Sequence, residues 1–102
     1  MTGPDVAAMT IAGFQALIRD RYFATDSARG PEATFLWFAE EFGELAEALG
    51  KQRRGDGNEA ELAGEFADCL AWLATLANIT GVDLESAVRA KYVEGGGPRG
   101  TK

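Results

Sequence analysis

Two acidic stretches decide how this chain folds and what chemistry it can carry: Glu40-Glu41-Phe42-Gly43-Glu44-Leu45 and Glu65-Phe66-Ala67-Asp68. Each lies inside a long run of periodic apolar residues, and such runs predict helices. Residues three positions apart lie on one face of a helix, so each stretch presents a pair of carboxylates. If the two helices pack antiparallel, the two pairs can meet at one point.

The four carboxylates belong to Glu41, Glu44, Glu65 and Asp68. Without compensation they would repel one another and resist ionisation. A divalent cation removes that repulsion, and ligation by oxygen alone suits Mg²⁺, with Mn²⁺ as the alternative. Glutamates on a helix usually form a solvated face, but the second pair favours the metal site. The residues after Asp68 are almost all apolar, so we expect Asp68 near the core, where a carboxylate needs a partner.

The chain of 102 residues is long enough for one small domain, and its 46% hydrophobic and 25% charged residues are ordinary for a globular protein. It has no apolar run of about 18 residues, so we expect no membrane span. Residues 1–9 lack the basic and apolar regions of a signal peptide, and the single Cys69 cannot form an internal disulfide. These features favour a cytoplasmic protein.

The net charge is −6, and the chain contains no histidine. We expect no nucleic-acid partner, because nucleic acid attracts a basic surface. A nucleotide remains a suitable ligand, since a metal ion can neutralise its phosphates. The absence of histidine excludes His-based triads and general bases, His-ligated zinc, and di-iron bundles built on Glu-x-x-His pairs. The remaining chemistry belongs to carboxylates, lysine, arginine and hydroxyl groups.

The apolar periodicity predicts four helices and no strand, so the fold class is all-α. The predicted helices cover about residues 10–23, 32–49, 59–79 and 84–93. A capping or first-turn residue begins each one: Thr10, Pro31, Asn58 and Asp83. A glycine ends the second and the third: Gly50 and Gly81. The remaining segments are loops at 26–30 and 51–57, a flexible arm at 1–9 and a flexible Gly-rich tail at 95–102.

Two of these helices carry patterns that bear on packing. On the second helix, the predicted core stripe is Phe38, Phe42, Leu45 and Leu49, and the adjoining stripe is Trp37, Glu41, Glu44 and Ala48. The third helix is apolar nearly all round from Cys69 to Ile79. A helix of that kind is buried on most sides, and one short chain can hardly cover it. The third helix therefore predicts a subunit interface.

Three blocks in order carry a family resemblance. Glu41-x-x-Glu44 followed by Glu65-x-x-Asp68 resembles the ExxE…ExxD signature of the MazG-like all-α nucleoside triphosphate pyrophosphohydrolases. The segment 40–47 resembles the family's EExGELxE, and 66–70 resembles its ADxL. The segment 81–91 resembles the family's closing GIDLxxAVxxK. The likeness covers about residues 10–92.

The resemblance implies a four-helix protomer over residues 10–94 that assembles as a homo-oligomer, either a dimer or a dimer of dimers. It implies hydrolysis of a nucleoside triphosphate to the monophosphate and pyrophosphate, with magnesium held by the four carboxylates. Lys91 matches the family lysine that meets phosphate. The chain departs from the family after Lys91, where segment 92–99 replaces an Asn- or Arg-bearing segment ending in Tyr-Pro. Arg99 is a candidate substitute there.

Other candidate residues keep two interpretations each. The general base is Glu40 or Glu44, and the sequence does not separate them. Trp37 and Trp72 lie one turn from Glu41 and Asp68 respectively, where each could stack on a nucleobase or serve as a core or interface aromatic. Three basic residues, in the segment predicted as a loop, could close over phosphates or form a solvated edge: Lys51, Arg53 and Arg54.

Two function classes follow from the sequence. The first is a magnesium-dependent pyrophosphohydrolase acting in nucleotide-pool house-cleaning. The second is a non-catalytic helical oligomeric module that presents its acidic face to a partner protein. Only the enzyme requires Glu41, Glu44, Glu65 and Asp68 together around one cation. The preferred base and sugar do not follow from these residues.

Overall fold

The computed structural model describes residues 9–99, and within this range the chain is helical with no strand. Its helices are α1 (Ile11–Arg29), α2 (Pro31–Arg54), α3 (Glu59–Thr80) and α4 (Leu84–Val88), and a π-helical segment (Arg89–Glu94) follows α4. The all-α prediction is confirmed. The expected flexible arm, apart from Met9, and the last three residues of the expected tail lie outside the described residues. Among the described helices, none is long and apolar enough to cross a membrane.

The predicted helix starts are confirmed by their capping groups. The side chain of Thr10 accepts a hydrogen bond from the Gly13 N–H, and that of Asn58 accepts one from the Glu61 N–H. Asp83 caps α4 in the same way, and these bonds satisfy backbone donors that a helix start leaves unpaired. Pro31 occupies the first turn of α2, where its missing N–H has no cost.

The end of α1 differs from the prediction. The helix does not stop near Phe23 but continues to Arg29, through the segment expected to be a loop. The reason is Asp26, which is only 6% exposed. One of its carboxylate oxygens accepts from Arg29 at 2.6 Å and the other from the Thr75 hydroxyl at 3.0 Å. The polar segment that was expected to be a loop therefore belongs to α1, and its Asp26 holds α1 against α3.

The second helix is also longer than predicted. It continues past Gly50 and ends at Gly55, whose φ of 87° is a left-handed conformation that favours glycine. The Gly55 N–H donates to the carbonyl of Gln52, which closes the last turn. Lys51 and its basic neighbours thus lie on the last turn of α2 rather than in a loop. The true connection to α3 is only the short segment 55–58.

The central element is α3, which packs against α2 on one side and α1 on the other. Lys51 meets Glu61 at 3.3 Å, and the Cys69 sulfur lies 3.8 Å from the carbonyl oxygen of Glu41. The contact further from the connecting segment, between Glu41 and Cys69, thus joins an earlier residue of α2 to a later residue of α3. The two helices are therefore antiparallel, which is the arrangement that the convergence of carboxylates required.

Much of the apolar surface of α3 stays exposed in the single chain. Phe66 is 55% exposed, Leu70 49% and Leu73 42%. The fully buried positions of α3 are small or polar and lie toward its end: Ala74, Thr75, Ala77 and Asn78. One chain thus leaves uncovered the face that was expected to be a subunit interface.

The end of the described chain folds back on itself. The predicted fourth helix has the expected extent, but its geometry changes to π-helical after Val88. The Gly95 N–H donates to the carbonyl of Ala90 at 3.0 Å, and the Gly97 N–H donates to that of Lys91 at 2.7 Å. The first residues of the expected Gly-rich tail therefore cap this segment.

Candidate metal centre

Three of the predicted carboxylates converge between α2 and α3. One oxygen each from Glu41, Glu44 and Glu65 lies within 4.8 Å of the others. Glu41 and Glu44 come from consecutive turns of α2, and Glu65 comes from the facing helix. We call these three residues the carboxylate cluster.

The fourth predicted ligand, Asp68, lies outside the carboxylate cluster and is exposed. The expectation that Asp68 lies near the core is wrong. Half-buried positions on α3 recur every three or four residues, at Leu62, Glu65, Cys69 and Trp72. Cys69 on this stripe touches the backbone of α2, so the stripe faces α2 and Asp68 stands beside it. Its charge still reaches the cluster, because it contributes to the raised pKa values of Glu41 and Glu65.

Burial and mutual repulsion raise the pKa values of Glu41 and Glu65 in the cluster. Loss of solvation raises the pKa of Glu41 from 4.5 to about 7, with further increases from a hydrogen bond to Glu44 and from neighbouring negative charge. The same loss of solvation, followed by the charges of Glu44 and Asp68, raises the pKa of Glu65. Burial beside these carboxylates also raises the pKa of the Cys69 thiol. Glu41 and Glu65 therefore ionise less readily than ordinary glutamates unless a positive charge compensates them.

Two oxygens of the cluster are buried and have no hydrogen-bond donor among residues 9–99: Oε2 of Glu41 and Oε2 of Glu65. Leaving a buried polar atom unpaired is unfavourable. Within the same range, no lysine or arginine forms an ion pair with any of the three cluster residues. The donor set consists of oxygen alone, which fits a hard divalent cation such as Mg²⁺ or Mn²⁺.

The two candidate bases are placed differently. Both are exposed, but Glu44 belongs to the carboxylate cluster and Glu40 lies outside it. Successive helix positions point about 100° apart, so Glu40 projects away from the direction of Glu41.

The basic candidates are not gathered at the cluster. The Lys51 Nζ lies 3.3 Å from Glu61 and 3.7 Å from Glu47, and the hydrogen bond to Glu61 raises the pKa of Lys51. Arg54 lies 3.9 Å from Asp56, and Arg53 is exposed. The exposed Lys91 lies on the π-helical segment, where its Nζ is 5.9 Å from the centroid of the Tyr92 ring.

The two tryptophans have different surroundings. Trp37 is 53% exposed on α2. Trp72 is half-buried, and the Arg29 guanidinium carbon lies 5.1 Å from the centroid of its ring. Part of the Trp72 ring surface is therefore already covered by an arginine, in a cation–π contact.

A second polar group, which the sequence did not reveal, adjoins Trp72. Asp26, Arg29 and Thr75 lie in a cavity of about 360 Å³ between α1 and α3. The spacing of Asp26 and Arg29, three residues apart, was a usable signal for an ion pair on a helix. It was missed because the segment was expected to be a loop.

Comparison with known families gives one match. The family model described as the MazG nucleotide pyrophosphohydrolase domain matches residues 29–93. Because this match covers more than half of the chain, the protein belongs to the MazG nucleotide pyrophosphohydrolase family. A search of curated proteins found no match. The matched segment contains α2, α3 and all four predicted ligands, whereas nearly all of α1 precedes it.

Proposed function

We propose that this protein is a magnesium-dependent nucleoside triphosphate pyrophosphohydrolase that releases pyrophosphate from a ribo- or deoxyribonucleotide and so cleans the nucleotide pool. Membership of the family supports the reaction class. The observation that carries the metal requirement is the pair of buried oxygens without donors, on Glu41 and Glu65, inside a cluster of three carboxylates.

Glu41, Glu44 and Glu65 would hold the cation, and Asp68 would join them from the exposed edge. Bound magnesium would offset the charge of the triphosphate and polarise a phosphoryl oxygen. Mn²⁺ offers the same hard, oxygen-seeking chemistry.

The proton of the attacking water would pass to Glu40 or Glu44. A carboxylate that holds a cation is a weaker base, because the cation stabilises its ionised form. That argument favours Glu40, which lies outside the cluster and one helical turn from Glu44.

Phosphate contacts would come from Lys91 and from the basic end of α2, where Lys51 and Arg54 lie. Lys51 would have to exchange its present bonds to Glu47 and Glu61 for phosphate oxygens. Trp37 and Trp72 remain the candidate base contacts. A second copy of the chain, packed on the exposed face of α3, would bring further residues toward this surface.

A non-catalytic module that uses its acidic face to bind a partner protein has less support. Such a face would present solvated carboxylates. Glu41 and Glu65 are half-buried, and each has an oxygen closed off from solvent.

The test is a screen of the common nucleoside triphosphates for pyrophosphate release, with magnesium and with chelator. Glu41→Gln and Asp68→Asn should each lower turnover by about 100-fold or more, because each removes a charge that attracts the cation. Asp20→Asn, at an exposed position on α1, is the matched control and should keep full activity. Release of orthophosphate, activity indifferent to chelator, or active Glu41 and Asp68 variants would contradict the proposal.

A further inference from the structure

The cavity between α1 and α3 continues the face of α3 on which Asp68 lies. Asp68, Trp72 and Thr75 are spaced by four and three residues, so they share one side of the helix. At 1.5 Å per residue, Trp72 lies about 6 Å and Thr75 about 10 Å along the helix from Asp68. A nucleotide whose phosphates lie at the carboxylates could therefore extend past Trp72 and place the far edge of its base beside Thr75.

Arg29 is held firmly in this cavity. Its Nη2 donates to Asp26 at 2.6 Å and its Nε donates to the Thr34 hydroxyl at 2.9 Å. Its guanidinium lies over Trp72, and only 20% of its side chain is exposed. A guanidinium fixed by two hydrogen bonds and an aromatic ring presents its remaining N–H groups in one direction.

Arg29 adds a positively charged donor to the cavity wall. Both carboxylate oxygens of Asp26 are engaged, one by Arg29 and the other by Thr75. The Thr34 hydroxyl accepts from Arg29 and donates to the Gly30 carbonyl. Nη1 of Arg29 has no hydrogen-bond partner among residues 9–99. A ligand oxygen in this cavity could therefore accept a hydrogen bond from Nη1 of Arg29.

Resting on the proposed function, we propose that Arg29 determines base specificity by donating to the exocyclic oxygen at the edge of the base far from the sugar. Uracil, guanine and hypoxanthine carry an oxygen at that position, whereas cytosine and adenine carry an amino group. An amino group facing Arg29 would put donor against donor and leave both unpaired in a partly buried site. Sites that hydrogen-bond a substrate group discriminate strongly against analogues that lack it.

Half of the residues that line the cavity lie outside the family match. Tyr22, Thr25 and Asp26 line the cavity and precede residue 29, where the match begins. The α1 side of the cavity therefore lies mostly outside the matched segment, and the α3 side lies within it.

The test compares kcat/KM within two substrate pairs that differ by oxygen or amino group, UTP with CTP and ITP with ATP. The wild type should favour the oxygen-bearing member by about 10-fold or more in both pairs. Arg29→Lys keeps a positive charge beside Asp26 but loses the planar guanidinium. The two members of each pair should then differ in kcat/KM by about threefold at most. Arg19→Lys is the matched control: Arg19 also lies over an aromatic ring on α1, 4.0 Å from Phe23, but does not line this cavity. It should leave the ratios unchanged.

Ratios near one in the wild type, or ratios that survive Arg29→Lys in a variant that melts like the wild type, would overturn the inference. Calorimetric binding of UMP and CMP without metal separates this inference from the reaction itself. If no triphosphate yields pyrophosphate, the proposed function fails. A preference for UMP that disappears in Arg29→Lys would still support the assignment of Arg29, and equal binding of UMP and CMP would refute it.

Discussion

Glu41 shows how far the sequence predicts a site at the scale of one residue. The pairing of carboxylates followed from helical spacing, and three of the four do converge. The half-burial of Glu41 did not follow, because the core stripe of α2 was expected to pass through Phe42 rather than Glu41. The stripe that the structure buries or half-buries is Thr34, Phe38, Glu41, Leu45 and Ala48. Phe42, a predicted core residue, is 48% exposed and stacks on Phe38 at 4.5 Å.

The raised pKa of Glu41 predicts a pH dependence of stability in chelator. Its pKa rises from 4.5 to about 7 on folding, so the metal-free folded state holds more protons than the unfolded state between these values. The free energy of unfolding should therefore fall as pH rises through this window. Thermal melts in chelator between pH 5 and 8 would measure the effect.

Glu41→Gln should flatten that pH dependence, because the amide does not titrate. In chelator at pH 8 this variant should be at least as stable as the wild type. A wild type that becomes more stable as pH rises from 5 to 7 would show that Glu41 is not the buried acid described here.

At the scale of the element, the helix starts and the end of α3 at Gly81 were predictable, but the ends of α1 and α2 were not. The helix starts were predictable from Thr10, Asn58 and Asp83, because a capping side chain bonds only to backbone N–H groups of the next few residues. The end of α1 depends on a distant partner. Asp26 remains helical because the hydroxyl of Thr75, on α3, donates a hydrogen bond to its carboxylate. The cavity that Asp26 lines was invisible for the same reason.

Thr75→Val should therefore destabilise the α1–α3 packing. The change keeps the shape of the side chain but leaves one oxygen of the buried Asp26 without a donor. The expected loss is about 1–3 kcal/mol in the free energy of unfolding, measured by urea denaturation. Thr80→Val, at an exposed position whose hydroxyl bonds only within its own helix, should cost far less. Equal losses in the two variants would show that the bond to Asp26 contributes little.

At the scale of the molecule, the uncovered face of α3 bears on assembly. Phe66, Leu70 and Leu73 leave a continuous apolar surface exposed in one chain. Fully burying such a side chain is worth about 1.5–3 kcal/mol, and a small domain has only about 5–15 kcal/mol of stability in total. Leu73 is a better residue than Leu76 for testing this face, because Leu76 is half-buried within the chain itself.

Leu73→Glu should weaken association by about 30-fold or more and lower activity with it, since a charge would be buried at the interface. Light scattering across a dilution series would follow the assembly state. Leu36→Glu, at a position on α2 that is 71% exposed, is the control and should leave assembly intact. A wild type that is monomeric and fully active at micromolar concentration would refute the oligomer.

The antiparallel pairing of α2 and α3 gives the carboxylate cluster a mechanical consequence. The chain connects α2 and α3 through the short segment 55–58, which lies away from the carboxylate cluster. A cation shared by Glu41, Glu44 and Glu65 would therefore act as a removable cross-link between the two helices. Binding to the paired state alone raises the free energy of opening with the logarithm of the ion concentration. Amide hydrogens near Glu41 and Glu65 should then exchange more slowly as magnesium is added, while those in the first turns of α1 should not. The ionic composition of the surroundings would thus set how long these two helices stay together.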